Sequence, residues 1–206
     1  MDVIYDKKNM NEYKEVFVDK VYAKFSPKDK VVVDVGATAG EYALWAVSEG
    51  AKFVYAFEPN INSYKRMVRN ITANNYTSKI QPFGIALGDG DYLMGEWKGD
   101  WFVKGTNNFT KIPANKLDVY GIRDIDLIKI DVEGFELEVL KGAVNVIKNF
   151  HPQIIVELSD DDLGKVYDFL RGLGYYLVDK VQNSYSPKVK IYYFEYKDNI
   201  GEKGGK

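Results

Sequence analysis

Within the 206-residue chain, the stretch Val31-Val32-Val33-Asp34-Val35-Gly36-Ala37-Thr38-Ala39-Gly40 constrains the fold more than any other. Valines at successive positions leave it no polar face, so a strand built from it must be covered on both sides, as in a parallel sheet between helical layers. The apolar run then gives way to a turn with glycines at positions 36 and 40, the pattern of a strand feeding a tight turn into a helix. Gly36 and Gly40 are expected to let the backbone approach a ligand. The helix starting near Gly40 is expected to aim free N–H groups and its dipole at the same place. About eighteen residues later, Phe53-Val54-Tyr55-Ala56-Phe57 ends in Glu58, where a nucleotide-binding α/β unit places the carboxylate that receives ribose hydroxyls.

The pattern continues as alternating strands and helices. Residues 4–25, with Tyr13, Val16, Phe17, Val21 and Phe25 among charges, read as one covering helix. Strands are expected at 30–35, 52–58, 79–87, 125–131 and 153–158, and helices at 40–49, after Pro59, at 136–149 and at 160–171. In the helix after Pro59, Ile61, Tyr64, Val68 and Ile71 form the apolar face, and Lys65, Arg66 and Arg69 a solvated one. Residues 91–97 and 101–104 read as a hairpin after the turn Gly88-Asp89-Gly90-Asp91, followed by a polar loop as far as Pro113. In the helix at 136–149, Leu137, Leu140, Val144 and Ile147 form the buried stripe. Two aromatic-rich strands at 175–180 and 190–196 close the chain as an antiparallel pair. The result is a doubly wound α/β sheet, mostly parallel with an antiparallel edge. It reads as one domain over 1–206: a covering segment 1–28, an α/β core 29–198 and a frayed tail 199–206.

Composition removes several chemistries. There is no cysteine, so disulfide frameworks, zinc–cysteine sites and thiol catalysis are out, and one histidine, His151, cannot make a multi-histidine metal site. His151, before Pro152, reads as an exposed loop residue. Lys plus Arg (28) nearly balance Asp plus Glu (30), so no general attraction for nucleic acid or anionic membrane is expected. No signal peptide or long apolar span is visible, and a cytoplasmic location is expected.

Among nucleoside cofactors the turn favours S-adenosylmethionine over NAD. A nicotinamide fingerprint wants G-x-G-x-x-G so that a diphosphate can approach. Here the spacing is Gly36-x-x-x-Gly40 behind Asp34, whose charge would repel phosphate and can hold an ammonium.

The chain resembles the FkbM-type family of S-adenosylmethionine-dependent methyltransferases. The likeness runs from about residue 30 to 180, through Val33–Tyr42, Ala56-Phe57-Glu58-Pro59, Ala86-Leu87-Gly88-Asp89, Leu117-Asp118 and, most specifically, Ile128-Lys129-Ile130-Asp131-Val132-Glu133-Gly134-Phe135-Glu136 and the residues to Ala143. The resemblance implies a class I (Rossmann-like) methyltransferase fold, S-adenosylmethionine as cofactor with S-adenosylhomocysteine as product, and methylation of oxygen on sugars or other metabolites. Thr38 stands where relatives usually carry asparagine. Residues 90–116 align with nothing familiar and are expected to choose the substrate.

Turn and resemblance together make Asp34, Gly36, Ala37, Thr38, Gly40, Glu58, Ala86 and Asp131 the expected cofactor contacts. Asp131 and Glu133, two apart at a strand end, are expected to leave one face and act as the catalytic pair. The bland reading of Glu133 is that, with Glu136, it favours the following helix. Glu157 at the next strand tip is either structural or a substrate contact. Asp131, Glu133 and Glu157 could instead hold a divalent cation such as magnesium, although no metal ligand is assigned. The expected partner is a small-molecule or sugar acceptor. An RNA methyltransferase, a non-catalytic nucleoside-binding module and an NAD-dependent oxidoreductase remain open alternatives.

Overall fold

The computed structural model describes residues 5, 10–104, 110–183 and 188–197. Its strands in chain order are β1 (Val31–Val35), β2 (Phe53–Phe57), β3 (Ile80–Phe83), β4 (Ala86–Leu87), β5 (Tyr92–Lys98), β6 (Trp101–Val103), β7 (Thr110–Asn115), β8 (Leu127–Ile130), β9 (Gln153–Ser159), β10 (Tyr175–Gln182) and β11 (Val189–Tyr196). The helices are α1 (Met10–Tyr13), α2 (Glu41–Ser48), α3 (Ile61–Ala73), α4 (Glu136–Lys141), α5 (Val144–Phe150) and α6 (Asp160–Gly172).

Seven strands form one sheet in the order β10-β11-β9-β8-β1-β2-β3, parallel except for β11, which runs antiparallel between β10 and β9. β1 is buried at every position, as its valines require. Val33 and Val35 pack with Ile128, Ile130, Ile154 and Val156 on one face, while Val32 joins Leu127, Ile155 and Ile191 on the other. Each such side chain contributes about 1.5–3 kcal/mol relative to exposure. The strands β4-β7-β5-β6 make a second sheet whose own small core of Leu93, Phe102, Ile112 and Ala114 closes on Phe135.

Five expectations about elements need correction. The N-terminal stretch is not one helix: α1 passes into a π-helical turn, Lys14–Val18, and Lys20 then takes φ +52°, a left-handed conformation that a continuing helix excludes. The strand expected at 79–87 is two strands, because after Phe83 the chain leaves at Gly84 and Ile85, and Ala86 and Leu87 pair with Ala114 and Asn115 in the second sheet. The polar loop before Pro113 is β7. Its Ile112 and Ala114 are buried between exposed neighbours, and Pro113 lies where β4 does not reach, as a residue without an N–H should.

The helix expected at 136–149 breaks into α4 and α5 at Gly142, where a Cβ would lie 2.0 Å from the Gly88 carbonyl oxygen. Asp118 restarts it, accepting from the N–H groups of Asn145 (3.1 Å) and Val146 (2.9 Å). The buried stripe shifts accordingly: Leu140 and Ile147 are buried with Val139 and Val146, whereas Leu137 and Val144 are only half-buried. Finally, Arg66 is not part of a solvated face. Ser63, Arg66, Met67, Asn70 and Ile71 make the buried side of α3, and Ile61 is exposed. Arg66 Nη2 donates to Ser63 Oγ (3.1 Å) and lies 3.4 Å from Asp100 on the β5–β6 hairpin.

Candidate cofactor and catalytic site

The glycine turn after β1 is packed more tightly than its sequence suggests. Gly36 has φ +77°, and a Cβ there would stand 1.8 Å from the Asp131 carbonyl oxygen; Gly40 has φ +89°, and its Cβ would meet Met67 Cγ at 3.1 Å. Both glycines therefore let protein approach protein, the β1 turn against the end of β8 and α2 against α3. The N–H groups of the turn itself are also taken. Gly36 and Ala37 donate to the Phe57 carbonyl (3.0 Å each), Gly40 donates to the Ala37 carbonyl (2.7 Å), Thr38 N–H donates to Glu58 (2.9 Å) and Ala39 N–H to Glu41 (3.0 Å). The turn presents carboxylates where a diphosphate cradle presents donors.

Glu58 is 5 % exposed, and each of its oxygens has a backbone donor: Thr38 N–H on Oε2 and Asn60 N–H on Oε1 (2.7 Å). Burial pushes its carboxyl up to about 8 in spite of those bonds. It faces an open cleft whose walls include Gly36, Thr38, Ala86, Asp131 and Glu133 with apolar Phe57, Ile85 and Leu87. The β5–β6 hairpin covers this cleft with Trp97, Asp100 and Trp101, the last 45 % exposed. Residues 92–103 thus stand over the site that residues 90–116 were expected to influence.

A second chamber of about 1040 Å³ adjoins the first and shares Thr38, Trp101, Asp131 and Glu133 with it. Ala37 lies on its wall together with Glu15, Tyr22, Glu41, Lys129 and Glu157. Asp34 and Gly40 are on neither wall. Asp34 is fully buried with the Lys129 ammonium 3.4 Å away, so the cation it meets comes from the protein itself.

Lys129 is the functional residue that sequence reasoning missed. It sits in the middle of β8, 4 % exposed, as the cross-strand partner of Asp34, with Asp131 at 3.3 Å and the Gly36 carbonyl at 3.3 Å. Burial alone would lower its ammonium, but Asp131, Asp34 and Glu157 hold it above the ordinary lysine range. The signal was present: a lysine between Ile128 and Ile130 in a strand covered on both faces must find a carboxylate. Glu41 was missed as well, although Thr38-x-x-Glu41 is a capping-box pattern. Its Oε2 accepts from Thr38 Oγ1 (2.6 Å) and Ala39 N–H, and its Oε1 from the Tyr5 hydroxyl.

Asp131 and Glu133 do line both spaces, but not for the reason expected. β8 ends at Ile130, and Glu133 is in a left-handed turn at φ +54°, so strand alternation does not apply to the pair. Asp131 is half-buried and held by Lys129, whereas Glu133 is exposed and its carboxyl is raised to about 7, by loss of hydration first and the Asp131 charge second. Because an exposed side chain can rehydrate, position rather than that shift singles it out. The helix-favouring acid is Glu136, which accepts from the Gly134 N–H at 2.9 Å.

The cation alternative meets the same ammonium. Among the described residues no group of three acids or histidines gathers at metal-binding distance. Lys129 stands beside Asp131, and Glu157 accepts instead from Tyr22 O–H and Asn183 Nδ2, both at 2.9 Å. His151 is exposed and stacks on Tyr196 with ring centres 3.7 Å apart.

A parallel sheet with one antiparallel strand inserted before its edge, a glycine turn after β1 and a buried carboxylate just beyond β2 define the class I methyltransferase fold. The chain belongs to the FkbM methyltransferase family: the Methyltransferase FkbM domain matches residues 34–177. Methyltransferase 1 of Beauveria bassiana is 25 % identical over 216 residues, covering 87 % of this chain and 86 % of that protein. Hexuronic acid methyltransferase AglP of Haloferax volcanii is 28 % identical over 138 residues, 64 % of this chain and 56 % of that one. A match of 26 % identity to the antimetabolite synthetase AmbE of Pseudomonas aeruginosa covers 74 % of this chain but 10 % of that much longer protein. The fold is shared with the crystal structure of Methyltransferase FkbM from Methylobacillus flagellatus, at 21 % identity and a TM-score of 0.67 over 88 % of this chain and 47 % of that one.

Proposed function

We propose that the protein transfers the methyl group of S-adenosylmethionine to a hydroxyl oxygen of a small molecule or sugar. The observation that carries this reading is Glu58: a buried carboxylate oriented by two backbone donors, facing an apolar cleft that opens at Asp131 and Glu133 into a second chamber. A carboxylate offers about four lone-pair sites, so two remain for a ribose diol after Thr38 and Asn60 are served. The apolar walls at Phe57, Ile85, Ala86 and Leu87 suit a purine. When bound, S-adenosylmethionine supplies an electrophilic methyl group, and its cationic sulfonium suits the acidic junction between the two spaces.

The chain's own residues then hold the reactants and move one proton. Lys129 keeps Asp131 in place at the junction, its ammonium 3.3 Å from the carboxylate. Glu133, which has no ammonium beside it among the described residues, receives the proton from the acceptor hydroxyl. Residues 29–198 form one catalytic unit in this reading, since both sheets contribute walls to the cleft. An NAD-dependent activity is disfavoured because the turn N–H groups are occupied and Glu58 and Glu41 would repel a diphosphate. RNA is disfavoured by the acidic chamber and a formal net charge of −2.

Calorimetry with S-adenosylhomocysteine and NADH tests the cofactor, and release of S-adenosylhomocysteine across a panel of hydroxylated metabolites tests the reaction. Binding of NADH in place of S-adenosylhomocysteine overturns the reading. Cofactor binding with no turnover on any acceptor in the panel supports the non-catalytic module instead.

A further inference from the structure

The second chamber is short of positive charge. Its one described lining cation, Lys129, is already committed to Asp34 at 3.4 Å and Asp131 at 3.3 Å. The other acids on its wall are Glu12, Glu15, Glu41, Glu133 and Glu157, of which Glu15 and Glu157 feel each other's charge. Glu157 accepts from two neutral donors, the Tyr22 hydroxyl and the Asn183 amide, and shares the Lys129 ammonium with Asp131 and Asp34. Glu15 is 9 % exposed, lines the chamber, and its buried Oε1 has no hydrogen-bond partner among the described residues. A buried carboxylate oxygen left unpaired is costly, and a site for a neutral polyol has no need of one.

On the reading that the protein is a methyltransferase, we propose that this chamber is the acceptor site and that it selects acceptors carrying a protonated amine near the hydroxyl to be methylated. Glu15 and Glu157 receive the ammonium. An ammonium offers three donors and one positive charge, which fits the unpaired Oε1 of Glu15 and a Glu157 carboxylate that shares a single ammonium with Asp34 and Asp131. Both carboxyls are raised in the free protein, Glu15 to about 7 and Glu157 to about 9, by burial first and then by the Asp131 charge. An arriving cation relieves both effects.

The place of these residues separates them from the cofactor's amino-acid tail. Glu15 comes from the π-helical turn and Glu157 from β9, whereas the acid of the glycine turn, Glu41, is already bonded by Tyr5, Thr38 and Ala39. The chamber meets the nucleoside cleft at Asp131 and Glu133, so an acceptor in it presents its hydroxyl to that junction, beside Glu133. An acidic acceptor, such as a uronic acid, would meet like charge.

The test uses matched probes: glucosamine, N-acetylglucosamine and glucuronic acid, together with 2-amino-1,3-propanediol and glycerol. Binding is measured by calorimetry on the full chain with and without S-adenosylhomocysteine, and turnover by cofactor product release. The free-amine member of a set is expected to bind about tenfold or more tightly than its neutral partner, as a charge-assisted pair implies. Glu15→Gln, which keeps the side-chain shape, should erase most of that preference while S-adenosylhomocysteine binds as before. Equal or absent binding across every matched set overturns the proposal. So does a Glu15→Gln variant that loses affinity for S-adenosylhomocysteine but keeps it for 5′-methylthioadenosine, because Glu15 would then serve the cofactor tail. Failure of the parent to bind S-adenosylmethionine at all sinks the methyltransferase reading, and neutral or acidic acceptors turned over as well as amines sink this one alone.

Discussion

The two spaces that meet at Asp131 are built on opposite principles. The nucleoside cleft is an apolar slot with one buried carboxylate, Glu58, whose orientation is set by backbone donors of the chain segments on either side of it. The second chamber is walled by acids drawn from five parts of the chain: α1, the π-helical turn, the start of α2, the segment after β8, and β9. One ammonium, Lys129, stands beneath the junction. On the proposed reading, a cleft that holds the same nucleoside in every turnover can be made from local turn geometry, whereas a chamber that distinguishes acceptors needs groups from several elements, and its charge rather than its shape sets what it admits.

The strongest way to break this division is to remove the ammonium under both spaces. Lys129→Met should destabilise the protein by about 3–5 kcal/mol in denaturant unfolding, because it strands the fully buried Asp34. Pairing it with Asp34→Asn should restore most of the loss, and a Lys129→Met protein as stable as the parent would mean that Asp34 is neutral in the fold. Next in size is Glu133→Gln, expected to lower turnover by about 10²–10⁴-fold with little change in cofactor affinity, the usual worth of a positioned base. Glu136→Gln is the control, since its role is to accept from Gly134; it should change thermal stability and leave turnover nearly intact.

On the nucleoside side, Glu58→Ala should weaken S-adenosylhomocysteine by about 1.5–3 kcal/mol for each ribose hydrogen bond to the charged group. Unchanged affinity would move the ribose elsewhere. The smallest effect is a pH slope. With the Glu58 carboxyl at about 8 in the free protein, the ionised acceptor form grows as pH rises towards 8 and is complete above it. Binding of 5′-methylthioadenosine, which has no amine to titrate, should therefore strengthen by up to about tenfold per unit below pH 8 and level off beyond it. Glu58→Gln should bind independently of pH over the same range.

Much of the lining of the first cleft was legible in the sequence. The valine run, the turn and Glu58 lie within about thirty residues and are tied to one another by the geometry of a single βαβ unit. Gly36, Thr38, Glu58, Ala86, Asp131 and Glu133 all stand on its wall. What the glycines do was misread, because sequence shows that a position lacks a side chain and not which atom needs the room. At position 36 that atom is the Asp131 carbonyl oxygen.

The acid chamber was legible only in fragments. Asp131 and Glu157 could be placed at strand ends, but nothing in the spacing brings Glu15 near them, across more than a hundred residues and from a turn whose π-helical path breaks the expected helix. Arg66 was sorted to the wrong face for a related reason: its partner Asp100 lies on a hairpin whose position over α3 depends on the second sheet. The sequence by itself determined the parallel sheet, the helix that follows each early strand and the strand-tip carboxylate, because apolar periodicity and chain connectivity act over short distances. The tertiary structure alone decided which charges are paired and which line an open space. Ion pairing depends on distances of a few ångströms between residues remote in sequence, and burial sets how much each unpaired charge costs.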